Sequence, residues 1–248
     1  MKTEIMASWE FMIFKIFLIL ALLPLSFINE AKAEGASDHS FFNKKTLSIM
    51  AGGTAATLLT YTTRKHYSAP LERNWGSQKP LGKYSRYGDY MGQLVPNALY
   101  IGEQLLFARP EGYRRSEHMF LATLYSALFT NVLKYTVREK RPSSNSKTSF
   151  PSGHTTTAFA FASVVSIHHP WYIGVPAYAL ATFVGVSRVN DKKHFIHDVL
   201  FGATIGTTFG YGTYYASGER YKVDKVSNFF VLPLIGKDVG GVVFNYSY

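Results

Sequence analysis

Six apolar stretches of helical length follow one another along the chain, at about 46–62, 89–108, 117–138, 155–168, 172–186 and 195–215. Most are longer than an ordinary strand and suit helices that bury one face. The expected fold is therefore all-α, a bundle of about six helices. Between the first two lies a basic segment, 64–88, whose glycines and prolines read as a long loop. The last stretch differs in kind. Residues 229–235, a Gly-Lys-Asp turn, and 240–248, rich in valine and aromatics, read as a small C-terminal β-hairpin. At 248 residues one domain is the default, placed at 34–227 and followed by an extension over 228–248.

The first 33 residues read as a separate element. Lys15 precedes an apolar run over 16–28, and Ala31-Lys32-Ala33 has the small-residue pattern of a signal peptidase site. Residues 1–33 are expected to be a cleaved secretory signal, with an uncleaved anchor over 11–28 as the alternative. Either way the domain is expected outside the cytosol, in the periplasm or at the extracytoplasmic face of the envelope. The chain has no cysteine, which excludes a disulfide framework and a thiolate nucleophile. Its 26 Lys plus Arg against 16 Asp plus Glu give a net charge of +10. That excess suits an anionic lipid or membrane surface, and the scattered basic residues make no nucleic-acid platform. The helices are interrupted by Glu103, Asn131, His168, Pro176 or Asp198, which favours an exported helical domain associated with the membrane over one threaded through it.

Three short blocks carry the chemistry: Lys134-x6-Arg141-Pro142, Pro151-Ser152-Gly153-His154, and Ser187-Arg188-x5-His194-x3-Asp198. They supply three cations, two histidines, a carboxylate and a glycine turn, which can hold a phosphoryl group and displace its leaving group. Phosphoryl transfer depends on positioning and on neutralising the equatorial oxygens, so Lys134, Arg141 and Arg188 form a natural clamp. Lys134 and Arg141 are seven apart, so both project from one face if the helix runs up to Pro142. Ser152 stands where an N-cap would, before a helix whose first amides suit an anion. His194 and Asp198 lie one turn apart on one face, and Gly202, Gly206 and Gly210 continue that step as a close-packing stripe.

The order and spacing of these blocks resemble the signature of the type 2 phosphatidic acid phosphatase family, whose relatives include bacterial class A acid phosphatases and vanadium-dependent haloperoxidases. The resemblance covers residues 134 to 198, and the eight-residue link 143–150 is shorter than the family usually has. It implies that the blocks meet at one end of the bundle and that Ser152 and Gly153 contact phosphate oxygens. It also implies a phosphohistidine mechanism: His194 attacks phosphorus, Asp198 fixes its tautomer, and His154 protonates the leaving alkoxide.

The substrate expected on this basis is a phosphorylated lipid, with a small phosphomonoester as the alternative. A vanadate-dependent haloperoxidase and a non-catalytic binder of anionic lipid remain as further readings. No cofactor and no metal are expected, although His154, His194, His197 and Asp198 could also be drawn as zinc ligands. His197 falls outside the matched pattern, so its removal is expected to spare most activity.

Overall fold

The computed structural model describes residues 40–108, 110–221, 229–235 and 240–246, the last two segments as backbone. The expected signal at 1–33 lies outside the described residues. Among those residues there are eight α-helices where the sequence suggested about six: α1 (Lys44–Thr62), α2 (Ser68–Gln78), α3 (Ser85–Met91), α4 (Val95–Phe107), α5 (Glu111–Val137), α6 (Gly153–His168), α7 (Trp171–Asn190) and α8 (Ile196–Ala216). Short 3-10 turns lie at Gly82–Tyr84 and Gly218–Tyr221. Two strands follow, Phe229–Ile235 antiparallel to Gly240–Tyr246, with Phe229 opposite Tyr246. The described part of the helical domain contains no strand.

Both extra helices come from the segment read as a loop and from the stretch after it. α2 is mostly polar and α3 only seven residues long, and tertiary bonds help to hold the segment they span. The Leu81 amide donates to Asn190 Oδ1 at 3.1 Å, and Glu72 Oε1 accepts from the Ile196 amide at 2.9 Å. The stretch 89–108 breaks at Gly92, and Pro96 in the first turn of α4 suits a new helix start. α5 stops at Val137, where Arg138 adopts the left-handed conformation at φ 55°. Lys134 and Arg141 therefore do not share a helix face: Lys134 is on α5 and Arg141 is in the loop beyond.

α6 lies at the centre, packed against α5, α7 and α8, while α1 covers α8 and α4 covers α5. Its apolar core is built largely from small residues, Ala158 and Ala162 of α6 meeting Ala122 of α5 and Ala177 and Ala181 of α7. The glycine stripe of α8 lies against α6. A Cβ at Gly202 would fall 2.6 Å from the Ser152 carbonyl, and one at Gly206 would fall 2.7 Å from the Ala160 amide nitrogen. Only glycine permits this backbone approach.

Polarity is distributed unusually for a globular domain. Ser126, Thr130, Thr155, Thr156, Ser163 and Thr208 are buried. Phe120, Leu124, Leu128, Val132 and Tyr135 form an exposed stripe on α5, and Leu99, Leu106, Phe107, Trp171 and Val175 are also exposed. Two of the polar residues that interrupt the apolar stretches face inward. His168 is bonded to His118, with 2.7 Å between ring nitrogens, and Asp198 is fully buried. Among the described residues one helix, Trp171–Asn190, is long and apolar enough to cross a membrane.

The close α6–α8 contact predicts that Gly206→Val lowers stability by about 1–3 kcal/mol. Gly102→Ala, which meets nothing within 4 Å, should be neutral or stabilising by up to about 1 kcal/mol. Thermal unfolding of both variants in detergent checks the contrast.

Candidate active site

α5 and α7 end where α6 and α8 begin, and all three blocks meet there. The N-terminus of α6 lies in this region, which favours an anion, whereas the Phe195 and Ile196 amides that open α8 are taken by Asp198 Oδ2 and Glu72 Oε1. His194 precedes α8, with its Nδ1 3.3 Å from Asp198 Oδ2. The same oxygen accepts the Ser149 hydroxyl at 2.6 Å and the Phe195 amide at 2.9 Å. Nδ1 is thereby engaged, leaving Nε2 as the ring atom available to a ligand. Burial lowers the His194 pKa while Asp198 pulls the other way, and the net shift is downward. Both the burial and the net shift favour the neutral imidazole.

Lys134 Nζ donates to the carbonyls of Thr148 at 2.8 Å and Pro151 at 2.6 Å. It ties the end of α5 to the turn before α6, and one of its three N–H groups is left over. That turn contains a cis Phe150-Pro151 peptide. Ser152 is the N-cap of α6 by position, but its hydroxyl makes no capping bond and instead accepts from Thr155 Oγ1 at 2.9 Å. A Cβ at Gly153 would meet Lys134 Cε at 3.8 Å, an ordinary contact, so packing does not demand glycine there.

Arg188, 3 % exposed, donates through Nη1 to Asp89 Oδ1. His154 Nε2 lies 3.2 Å from the same oxygen. Asp89 therefore bridges a clamp arginine and the second histidine. Partial burial pushes the Asp89 carboxyl up, but the bond to Arg188 and the nearby charges outweigh it and hold the group below its usual range. The sequence reading missed Asp89 because it sits on α3, far from the blocks, where its only signal was an acid opening an apolar stretch. Ser149 and Glu139 were missed too. Ser149 lies in the link between the first two blocks, and Glu139 is one of the six unspecified positions between Lys134 and Arg141.

Two cation N–H groups here are buried without a hydrogen-bond acceptor, Arg141 Nε and Arg188 Nη2, the latter with Asp191 Oδ2 at 3.7 Å. A buried guanidinium donor left unpaired is costly, and an oxyanion is the group that would satisfy both. A cavity of about 870 Å³ opens beside Arg141 and His194, bordered also by Arg64, Arg73, Lys140 and Lys192.

Residues 118–222 match the PAP2 superfamily model. Over 107 residues, 38% of this chain, the sequence is 37% identical to the lipid A 1-phosphatase of Porphyromonas gingivalis, covering 24% of that protein. Over 114 residues, 44% of this chain, it is 34% identical to the lipid A 4'-phosphatase of Helicobacter pylori, covering 54% of it. The chain thus spans between about a quarter and about half the length of these relatives. Among solved structures, Aquifex aeolicus LpxE is similar with a TM-score of 0.52 at 24% identity, over 59% of this chain and 94% of that one. The first transmembrane PAP2 type phosphatidylglycerolphosphate phosphatase from Bacillus subtilis gives a TM-score of 0.57 at 22% identity, over 74% of this chain and all of that one (100%). At these identities the two structures share the fold.

The Asp89 bridge predicts that Asp89→Asn lowers the pH at which His154 takes up a proton, since the variant removes the adjacent negative charge. Histidine-selective NMR titration checks this. An unchanged midpoint would contradict the bridge.

Proposed function

We propose that this protein is a phosphatase hydrolysing a phosphate monoester or diphosphate of a membrane lipid through a phosphohistidine, a reading supported by the match of residues 118–222 to the PAP2 superfamily model. The observation that carries the proposal is the pair of buried, acceptor-less donors, Arg141 Nε and Arg188 Nη2, beside a histidine whose tautomer a carboxylate fixes. A bound phosphoryl group would accept from both arginines, from the remaining Lys134 N–H and from the first amides of α6. His194 Nε2 attacks phosphorus as the P–O bond to the leaving group breaks. Asp198 stabilises the positive charge developing on the ring, and His154 delivers a proton to the departing oxygen. Water, deprotonated by His154, then cleaves the P–N bond and frees both His194 and phosphate.

Three features support a lipid as the substrate. The relatives are named for lipid A and the Bacillus neighbour for phosphatidylglycerolphosphate. The basic cavity beside His194 suits a headgroup larger than phosphate and anionic in character. The exposed apolar stripe of α5, together with the apolar surfaces of α4 and α7 over a polar, small-residue interior, matches a domain whose outer solvent is lipid. Of the residues that interrupt the apolar stretches, His168 and Asp198 turn inward, where they do not meet lipid, while Glu103 and Asn131 are exposed. We therefore place the helical domain in the membrane, with the site at its extracytoplasmic surface.

Phosphate release should be measured with phosphatidate, phosphatidylglycerophosphate, a polyprenyl diphosphate, lipid A and a chromogenic monoester. Turnover of at least one lipid, abolished by His194→Ala, is expected. Turnover of the soluble monoester alone would favour an acid phosphatase. The rate should be bell-shaped in pH, with its acid limb below about 6.5, because burial depresses the His194 pKa. A rate still rising through strongly alkaline pH would contradict the assigned roles.

A further inference from the structure

His197 was set aside by the sequence reading, yet it stands between two carboxylates. Its Nε2 lies 3.1 Å from both oxygens of Glu139 and 3.3 Å from Asp198 Oδ1. The ring is 1 % exposed. It stacks on Phe195, with centroids 5.4 Å apart and 13° between planes, and on Phe150 at 6.1 Å and 26°, while Tyr61 presents an edge at 5.2 Å. Aromatic faces on both sides and carboxylates at one edge suit an imidazolium. Of the two Asp198 oxygens, Oδ2 is committed to Ser149, Phe195 and His194, while Oδ1 has no hydrogen-bond partner and faces His197.

Without a positive charge in that gap, Glu139 and Asp198 would be two buried like charges within a few ångströms. One would then take up a proton. A divalent ion could be drawn among the same three side chains, whose candidate ligand atoms lie within 4.8 Å of one another. His197 Nδ1 is buried without an acceptor, which costs a metal-bound ring and an imidazolium alike, so the metal content of the purified protein separates the two.

We propose that Glu139 and His197 form a positioning pair in which the His197 imidazolium separates the two carboxylates, so that Asp198 keeps its charge and its orientation toward His194. The pair touches no substrate. It acts through Asp198, and the proposal rests on the reading of His194 as the attacking residue. The remaining charged or titratable groups around His194 are Lys134, Arg141 and His154, and Arg64 and Tyr61 face His197. All are unchanged in the variants below.

The test uses the full chain in detergent and needs no turnover. Histidine-selective NMR, assigned with His194→Gln, follows His194 protonation in wild type, His197→Phe, Glu139→Gln and the double variant. Phenylalanine keeps the stacking and loses the charge. His197→Phe should lower the His194 midpoint by about one pH unit, because one of the two facing carboxylates then takes up a proton and Asp198 loses part of its charge; Glu139→Gln should lower it by less, and the double variant should return it close to wild type. With a lipid that the wild type turns over, His197→Phe should also cut kcat about tenfold or more, leave KM within about twofold, and recover in part in the double variant. Unmoved midpoints in the single variants would overturn the proposal, as would a stoichiometric divalent ion in the purified wild type. If His197→Phe does not fold, Glu139→Gln alone decides, and an unshifted midpoint overturns the pairing. An inactive wild type with the expected midpoints would instead defeat the phosphatase reading and leave the charge coupling standing.

Discussion

The carboxylate of Asp198 is the point on which the rest of the site depends. It is fully buried, and an isolated carboxylate in that position would cost several kcal/mol. Its stability comes from groups on separate pieces of chain: the Ser149 hydroxyl before α6, the Phe195 amide at the start of α8, and the imidazole of His194. Its backbone carbonyl also accepts the Ser152 amide at 3.1 Å. Satisfying one buried charge thus brings the beginnings of α6 and α8 together, and the same bonds fix the tautomer of His194. Structural and chemical demands coincide at this residue.

Around that anchor the cations have different tasks. Lys134 spends two bonds on the main chain of the turn before α6 and so holds part of the site in shape. Arg188 is steered by Asp89, which also touches His154. Arg141 keeps a buried donor free. A phosphoryl group would complete what the protein leaves open, with little rearrangement of the groups receiving it, which is how preorganised electrostatics lowers a barrier.

The three blocks were legible because their chemistry lies in residue types at fixed short spacings, and the α8 glycine stripe because its four-residue step repeats along one face. What stayed hidden depends on long-range contact. Asp89 acquires its role only when α3 packs beside Arg188. α2 and α3 looked like loop because α2 is mostly polar and α3 only seven residues long, and bonds to Asn190 and to the amide of Ile196 help to hold the segment they span. His197 was dismissed as a residue between two pattern positions, and only the folded loop after α5 brings Glu139 to it. The membrane question turned on direction: His168 and Asp198 read as breaks in apolar runs, whereas the folded chain points both toward the interior.

In the proposed function His194 Nε2 becomes covalently phosphorylated. Rapid acid-free quenching during turnover of a lipid phosphate, followed by peptide mapping, tests it most directly. The account predicts an acid-labile, alkali-stable phosphoryl group on His194, absent from His194→Ala and accumulating when His154 is replaced by alanine if hydrolysis of the intermediate is the more impaired step. A phosphoryl group on Ser152, or on no residue in an enzyme that turns over at full rate, would contradict it.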